Sequence, residues 1–165
     1  MIAKRMVCIA AMVLMSGSAN AMSRPCGWLT NDEASAAAGA KVTQAEDRKT
    51  FQGTFNGCIY HTANVSRSVL IQAYERPSAA DAQQFFDQQL KSAARLPGEY
   101  GKTHSLPVTA VPGVGDQAAD VATQLFVRKG TVIFAVSVSS PLDESQTPAY
   151  AQKRKTLATA ILGRL

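Results

Sequence analysis

Chemistry in this chain would have to be assembled from few parts. There are two histidines, His61 and His104, and three cysteines, Cys8, Cys26 and Cys58. A side-chain nucleophile needs a base within reach and a third group that orients the base. With two imidazoles and no Gly-x-Ser-x-Gly elbow, the spacing spells out no serine–histidine–acid set. Adjacent carboxylates occur at Asp32-Glu33, Glu46-Asp47 and Asp143-Glu144. Neighbours of this kind in caps and loops do not face each other across a bond as a paired acid and base must. Cys58-x-x-His61 has ligand-like spacing, but a closed soft-metal site needs four donors and only His104 remains as a further imidazole. Gly113-x-Gly115-x-x-Ala118 matches the loose dinucleotide fingerprint, which works only between a parallel strand and a helix. Here Pro112 precedes it and a β-rich run follows, so Pro112-Gly113-Val114-Gly115-Asp116 is read as a turn leading into a strand. No catalytic residue, cofactor or metal ligand is expected, and the chain is read as not an enzyme.

What the cysteines do depends on where the protein goes. Residues 1–21 read as a signal peptide: Lys4 and Arg5 form a positive start, residues 6–15 are uncharged and mostly apolar, and Ala19-Asn20-Ala21 has the small-x-small pattern of a cleavage site. Ten residues of helix span about 15 Å, roughly half a bilayer core, so the segment is too short for a membrane anchor. Cys8 comes too early in the run for lipidation, and Cys26 follows Ser23-Arg24-Pro25 in place of a small apolar lipobox, so cleavage after Ala21 is expected. Export removes Cys8 and leaves Cys26 and Cys58 as an even pair in an oxidising compartment, expected to form a disulfide. Closing a loop of roughly 33 residues stabilises by about 3.5–4 kcal/mol in the chain-entropy description.

The whole chain has 165 residues, 46% hydrophobic and 18% charged, which excludes intrinsic disorder and suits one domain over residues 22–165. Its formal net charge of +5 falls by two when Lys4 and Arg5 leave with the leader. An excess that small on an exported protein gives no reason to expect a nucleic-acid partner, and no later segment is long and apolar enough to span a membrane.

The elements follow from periodicity. Thr30 and Glu33 are spaced as a capping box, residues 34–38 are strong helix formers, and Gly39 is a natural stop. Residues 41–52 are polar and read as a loop excursion. A strand over residues 54–62 carries Phe55, Cys58, Ile59 and Tyr60, and a second over 67–75 is apolar on both faces, hence central. Pro77-Ser78 begins a helix running to about Leu96, with Ala79, Ala82, Phe86, Leu90 and Ala93 on one stripe and Lys91 and Arg95 near its negative end. A hairpin is expected from Val121, Thr123, Leu125 and Val127, a turn at Lys129-Gly130, and Val132, Phe134, Val136 and Val138. Thr147 and Pro148 open a last helix with Tyr150, Arg154, Leu157, Ile161 and Leu165 on its stripe. The fold class is therefore α+β: an antiparallel sheet of two hairpins covered by three helices, in the order helix, hairpin, helix, hairpin, helix.

Cys26-Gly27-Trp28-Leu29-Thr30, Glu33-Ala34, Gly39, Gly57-Cys58-Ile59-Tyr60, Pro112-Gly113-Val114-Gly115-Asp116-Gln117-Ala118 and the Lys129-Gly130 hairpin together resemble a group of small secreted bacterial proteins of unknown function. Many of that group are actinobacterial lipoproteins, and its element order is similar to the PsbP/Mog1-like α/β/α sandwich. The resemblance implies an antiparallel sheet between helices and supplies no catalytic residues.

A leader, a staple and a good core without a catalytic constellation lead to an exported, periplasmic or secreted protein that acts as a binding module for another envelope or secreted protein, of inhibitor or immunity type. The long connections over residues 41–52 and 97–115 are its expected binding loops. A small-ligand or lipid carrier, with a cavity lined by Phe86, Tyr74 or Phe134, is the alternative. A cell-wall hydrolase using His61 or His104 against a carboxylate or serine in a cleft is the third.

Overall fold

A computed structural model describes residues 24–49, 56–97, 103–141, 144 and 146–165. The leader over residues 1–21, Phe55 and Asp143 lie outside the described residues, as does the side chain of His104.

Local chemistry sets the helices. The Glu33 N–H donates to Thr30 Oγ1 at 3.2 Å, and the Thr30 N–H donates to Glu33 Oε2 at 2.8 Å, so the expected capping box is formed at the start of α1 (Asn31–Ala38). Gly39 ends that helix at φ +68°, a conformation glycine adopts without a Cβ clash. Ser78 caps α2 (Ala79–Ala93) by accepting from the Asp81 N–H at 3.1 Å. Thr147 precedes α3 (Pro148–Leu162), where Pro148 occupies the first turn.

Nine strands are described: β1 (Val42–Lys49), β2 (Asn56–Thr62), β3 (Ser68–Glu75), β4 (Arg95–Pro97), β5 (Thr103–Ser105), β6 (Val108–Ala110), β7 (Gln117–Val121), β8 (Gln124–Lys129) and β9 (Val132–Ser139). Seven form one antiparallel sheet in the order β1-β2-β3-β9-β8-β7-β6, and β4 pairs with β5 in a separate ribbon. Both expected hairpins, β2–β3 and β8–β9, are present and join through β3–β9, which makes β3 a central strand. The sheet then grows past them on both sides.

Four local expectations are corrected. Within the expected loop excursion over residues 41–52, the described residues 42–49 are not a loop: Val42–Lys49 is edge strand β1, whose polar residues are tolerated because only Val42 is buried. The connection over residues 97–115 contains β5 and β6. The strand expected to run from Val121 to Val127 is broken at Ala122-Thr123, where Ala122 takes φ +53° and Val121 pairs back on Gln124. α2 stops at Ala93, and Leu96 belongs to β4.

Side chains alternate across the sheet and build a core on each face. Cys58, Tyr60, Val69, Ile71, Phe134, Val136, Leu125 and Val127 pack with Trp28, Leu29 and the buried residues of α1 and α3. Ile133, Ala135, Phe126, Ala119 and Val121 pack on the opposite face with Ala82 and Phe86 of α2. The sheet thus lies between α1 and α3 on one side and α2 on the other. The Cys26–Cys58 disulfide ties the 3₁₀ turn at Pro25–Gly27 to β2. Tyr60 reinforces the same corner: its buried hydroxyl lies 2.9 Å from the Cys26 carbonyl and 3.0 Å from that of Leu29, and burial pushes its pKa up. Arg164 closes the chain end by donating to the Trp28 carbonyl and to Glu33 Oε1, both at 2.8 Å.

Candidate functional site

The free flank of α2 and the outer strand β6 enclose a surface groove. One stretch, of about 440 Å³, is lined by Asp87, Leu90, Lys91, Arg95, Ser105 and Val108. The adjoining stretch, of about 420 Å³, shares Asp87, Leu90 and Val108 and continues past Phe86, Ala110 and Val111 to the Pro112–Asp116 turn. The helix stripe explains the apolar wall. Ala82 and Phe86 are buried in the core, whereas Leu90, one turn on, is only half-buried because the sheet runs out beneath it.

β6 is the last strand of the sheet, and an edge strand carries main-chain N–H and C=O groups with no neighbour. The two edges differ in how they are guarded. β1 carries Glu46, Asp47, Arg48 and Lys49, charges that discourage a further strand, while Val108-Thr109-Ala110 of β6 carries none. Val108 is 47% exposed; the other exposed large hydrophobics among the described residues are Val65, in a turn, and Leu165, the last residue. Val108 is therefore the exposed large apolar side chain that the sheet itself presents.

The Pro112–Asp116 turn is the groove's far wall and is held from behind. Val114 is buried in the core, and the Asp116 N–H donates to the Arg128 carbonyl at 2.8 Å. The Asp116 carboxylate accepts from the Gly130 N–H at 2.7 Å and from Lys129 Nζ at 3.2 Å. The Gly130 N–H, and after it Lys129, holds that carboxyl below its ordinary range. Gly115 sits at φ +60°, and a Cβ there would lie 2.6 Å from the Arg128 carbonyl oxygen. Both glycines have positive φ, as a turn requires, but the turn supports the β8–β9 hairpin and offers no helix N-terminus to a phosphate.

The other sequence candidates are placed elsewhere. His61 Nε2 lies 3.1 Å from Glu46 Oε2 across β1–β2, both residues about two-fifths exposed, and Glu46 Oε1 also accepts from Arg48 Nε at 3.2 Å. This pair stands on an open strand surface. The residues suggested for a carrier cavity do not share one: Tyr74 and Phe86 belong to the α2 face, and Phe134 packs edge-on against Trp28 on the other, with ring centroids 5.9 Å apart. A third groove, of about 300 Å³, runs between α1 and α3 past Ala36, Ala37, Gln152 and Leu157. Among the described residues no helix is long and apolar enough to cross a membrane.

Sequence reasoning missed Leu90, Lys91, Arg95 and Val108 as neighbours. The stripe named Leu90, yet nothing local shows that β6 comes to lie beside it, because that contact is made through β7 and β8.

No protein-family model and no curated protein matches the chain. Among solved structures it is similar to the extracellular domain of PknH from Mycobacterium tuberculosis, with a TM-score of 0.51 and 15% identity over 86% of this chain and 94% of that one. The likeness is one of fold. It carries over no residue roles.

Proposed function

We propose that this protein is an exported, disulfide-stapled α+β domain that binds another protein of the cell envelope through the α2–β6 groove and performs no catalysis of its own. The observation that carries the reading is the coincidence of an uncharged sheet edge, the exposed Val108 and a groove walled by Leu90. An uncharged sheet edge beside an apolar-walled groove is a template on which another chain can pair. The leader read from residues 1–21, the Cys26–Cys58 disulfide and the likeness to an extracellular domain support the compartment. An inhibitor or immunity role is the form of binding that best suits a small rigid domain with no supplied catalytic set. The finer likeness, to small secreted bacterial proteins and the PsbP/Mog1-like sandwich, rests on the paired cysteines, the Pro112–Asp116 turn and helices on both faces of the sheet.

Envelope fractions passed over the immobilised mature protein test this. A partner retained by the wild type and by Gln152→Asp, which alters the α1–α3 groove, and lost with Leu90→Asp supports the reading. A partner that ignores Leu90→Asp contradicts it.

A further inference from the structure

We infer that the groove receives an extended peptide segment, added as a further strand on β6, with an aliphatic side chain against Leu90 and an acidic side chain beside Lys91 and Arg95. This rests on the preceding reading of the groove as the binding site and names what enters it.

Ladder parity comes first. The Val111 N–H donates to the Ala118 carbonyl at 2.9 Å, and the register continues as Ala110↔Ala119, Thr109↔Asp120 and Val108↔Val121. Hydrogen-bonded and non-hydrogen-bonded pairs alternate along an antiparallel ladder. Val111 and Thr109 therefore turn their main-chain groups toward β7, and Val108 and Ala110 turn theirs outward. An incoming strand finds two N–H donors and two C=O acceptors at the spacing it needs.

The side chains agree with the backbone. Val108 and Ala110 share a face with their partners Val121 and Ala119, which pack toward α2. A strand laid beside β6 continues that face, and its alternate side chains fall into the groove against Leu90 and Val108.

Charge selects the sequence. Lys91 and Arg95 line the groove where α2 ends, and among the described residues neither is within ion-pair distance of a carboxylate. Asp87, the acidic residue on the same stretch, already accepts from Gln83 Nε2 at 3.1 Å, and Asp116 at the far wall is taken up by Gly130 and Lys129. Two cations that no described carboxylate pairs, set beside an apolar slot, complement a segment that carries aliphatic and acidic residues.

Panning a phage-displayed library of random linear peptides on the whole mature protein tests the assignment. The expected result is a consensus with aliphatic residues at alternate positions and an acidic residue to one side. The binding of a synthetic consensus peptide should fall by about tenfold or more in Lys91→Glu/Arg95→Glu and be restored when its acidic residue is changed to lysine. Ala110→Pro, which removes an outward N–H and leaves the β6–β7 ladder intact, should weaken it by a similar factor. The double charge reversal lies on the surface, so it keeps the test valid should Ala110→Pro not fold. The inference is overturned by the absence of a consensus, by helical spacing of its apolar residues, by insensitivity to the charge reversal, or by a dimer of this chain that Ala110→Pro abolishes. A partner captured in a Leu90-dependent way but indifferent to both variants would leave the binding reading standing and remove this one.

Discussion

Arg154, in the middle of α3 and 2% exposed, sets Nη2 at 2.7 and 3.0 Å from the two carboxylate oxygens of Asp120 on β7. Asp120 alternates with Ala119 and Val121, which face α2, so it reaches the opposite layer. The pair fixes α3 to the very strand on which β6 hangs. A buried guanidinium stripped of its carboxylate is costly, whereas an apolar pair of similar volume is close to neutral. Asp120→Ala should therefore lower stability by about 3–5 kcal/mol, and Asp120→Leu/Arg154→Met should recover most of it, read from urea unfolding midpoints. Equal losses in both variants would show that the ion pair is not what holds the layers.

The two turn glycines separate conformational from steric cost. At Gly113 a Cβ meets nothing within 4 Å, so Gly113→Ala carries only the penalty of a positive φ, about 1 kcal/mol. At Gly115 the same conformation is joined by a clash with the Arg128 carbonyl, and the hairpin must shift. Gly115→Ala should cost clearly more, about 2–4 kcal/mol, and lower the melting temperature accordingly. Equal effects would mean that the turn is not pressed against β8.

Acid should act through two surface carboxyls. The hydrogen bond from Arg164, and after it that from the Thr30 N–H, holds Glu33 below its usual range, as the Gly130 N–H does Asp116. A carboxyl whose folded pKa is depressed contributes stability in full above its unfolded value, near about 4, and loses it as pH falls through the folded value. Stability should be insensitive to these groups at neutral pH and decline below about pH 4. Glu33→Gln/Asp116→Asn should begin less stable and lose less between about pH 6 and pH 3 in urea titrations.

The disulfide is the staple of the N-terminal corner. Cys26 and Cys58 are 32 residues apart, and opening that loop should remove about 3.5–4 kcal/mol. Cys26→Ala/Cys58→Ala should show this in unfolding midpoints, and reductant should lower the wild type but leave the double variant unchanged.

Much of the fold was legible because it is specified locally. Thr30 with Glu33, Gly39, Pro148 and the alternation of Val132, Phe134, Val136 and Val138 each place an element by short-range chemistry. β1 was not legible: its residues look like a polar loop, and they form a strand because β2 offers a ladder. The turn at Ala122-Thr123 hid within an unbroken alternation because it uses no glycine, asparagine or proline. The groove was invisible for a different reason. Leu90 and Val108 become neighbours only through the pairing of β6, β7 and β8, a non-local arrangement with no trace in the spacing.

The most direct test is site-specific photo-cross-linking in growing cells, with the reactive residue placed at Val108 in the groove or at Gln152 in the α1–α3 groove. The account predicts a discrete protein adduct of the exported form from Val108 that is absent from Gln152 and suppressed by Leu90→Asp. The same adducts from both positions, or none from Val108 while Gln152 cross-links, would contradict it.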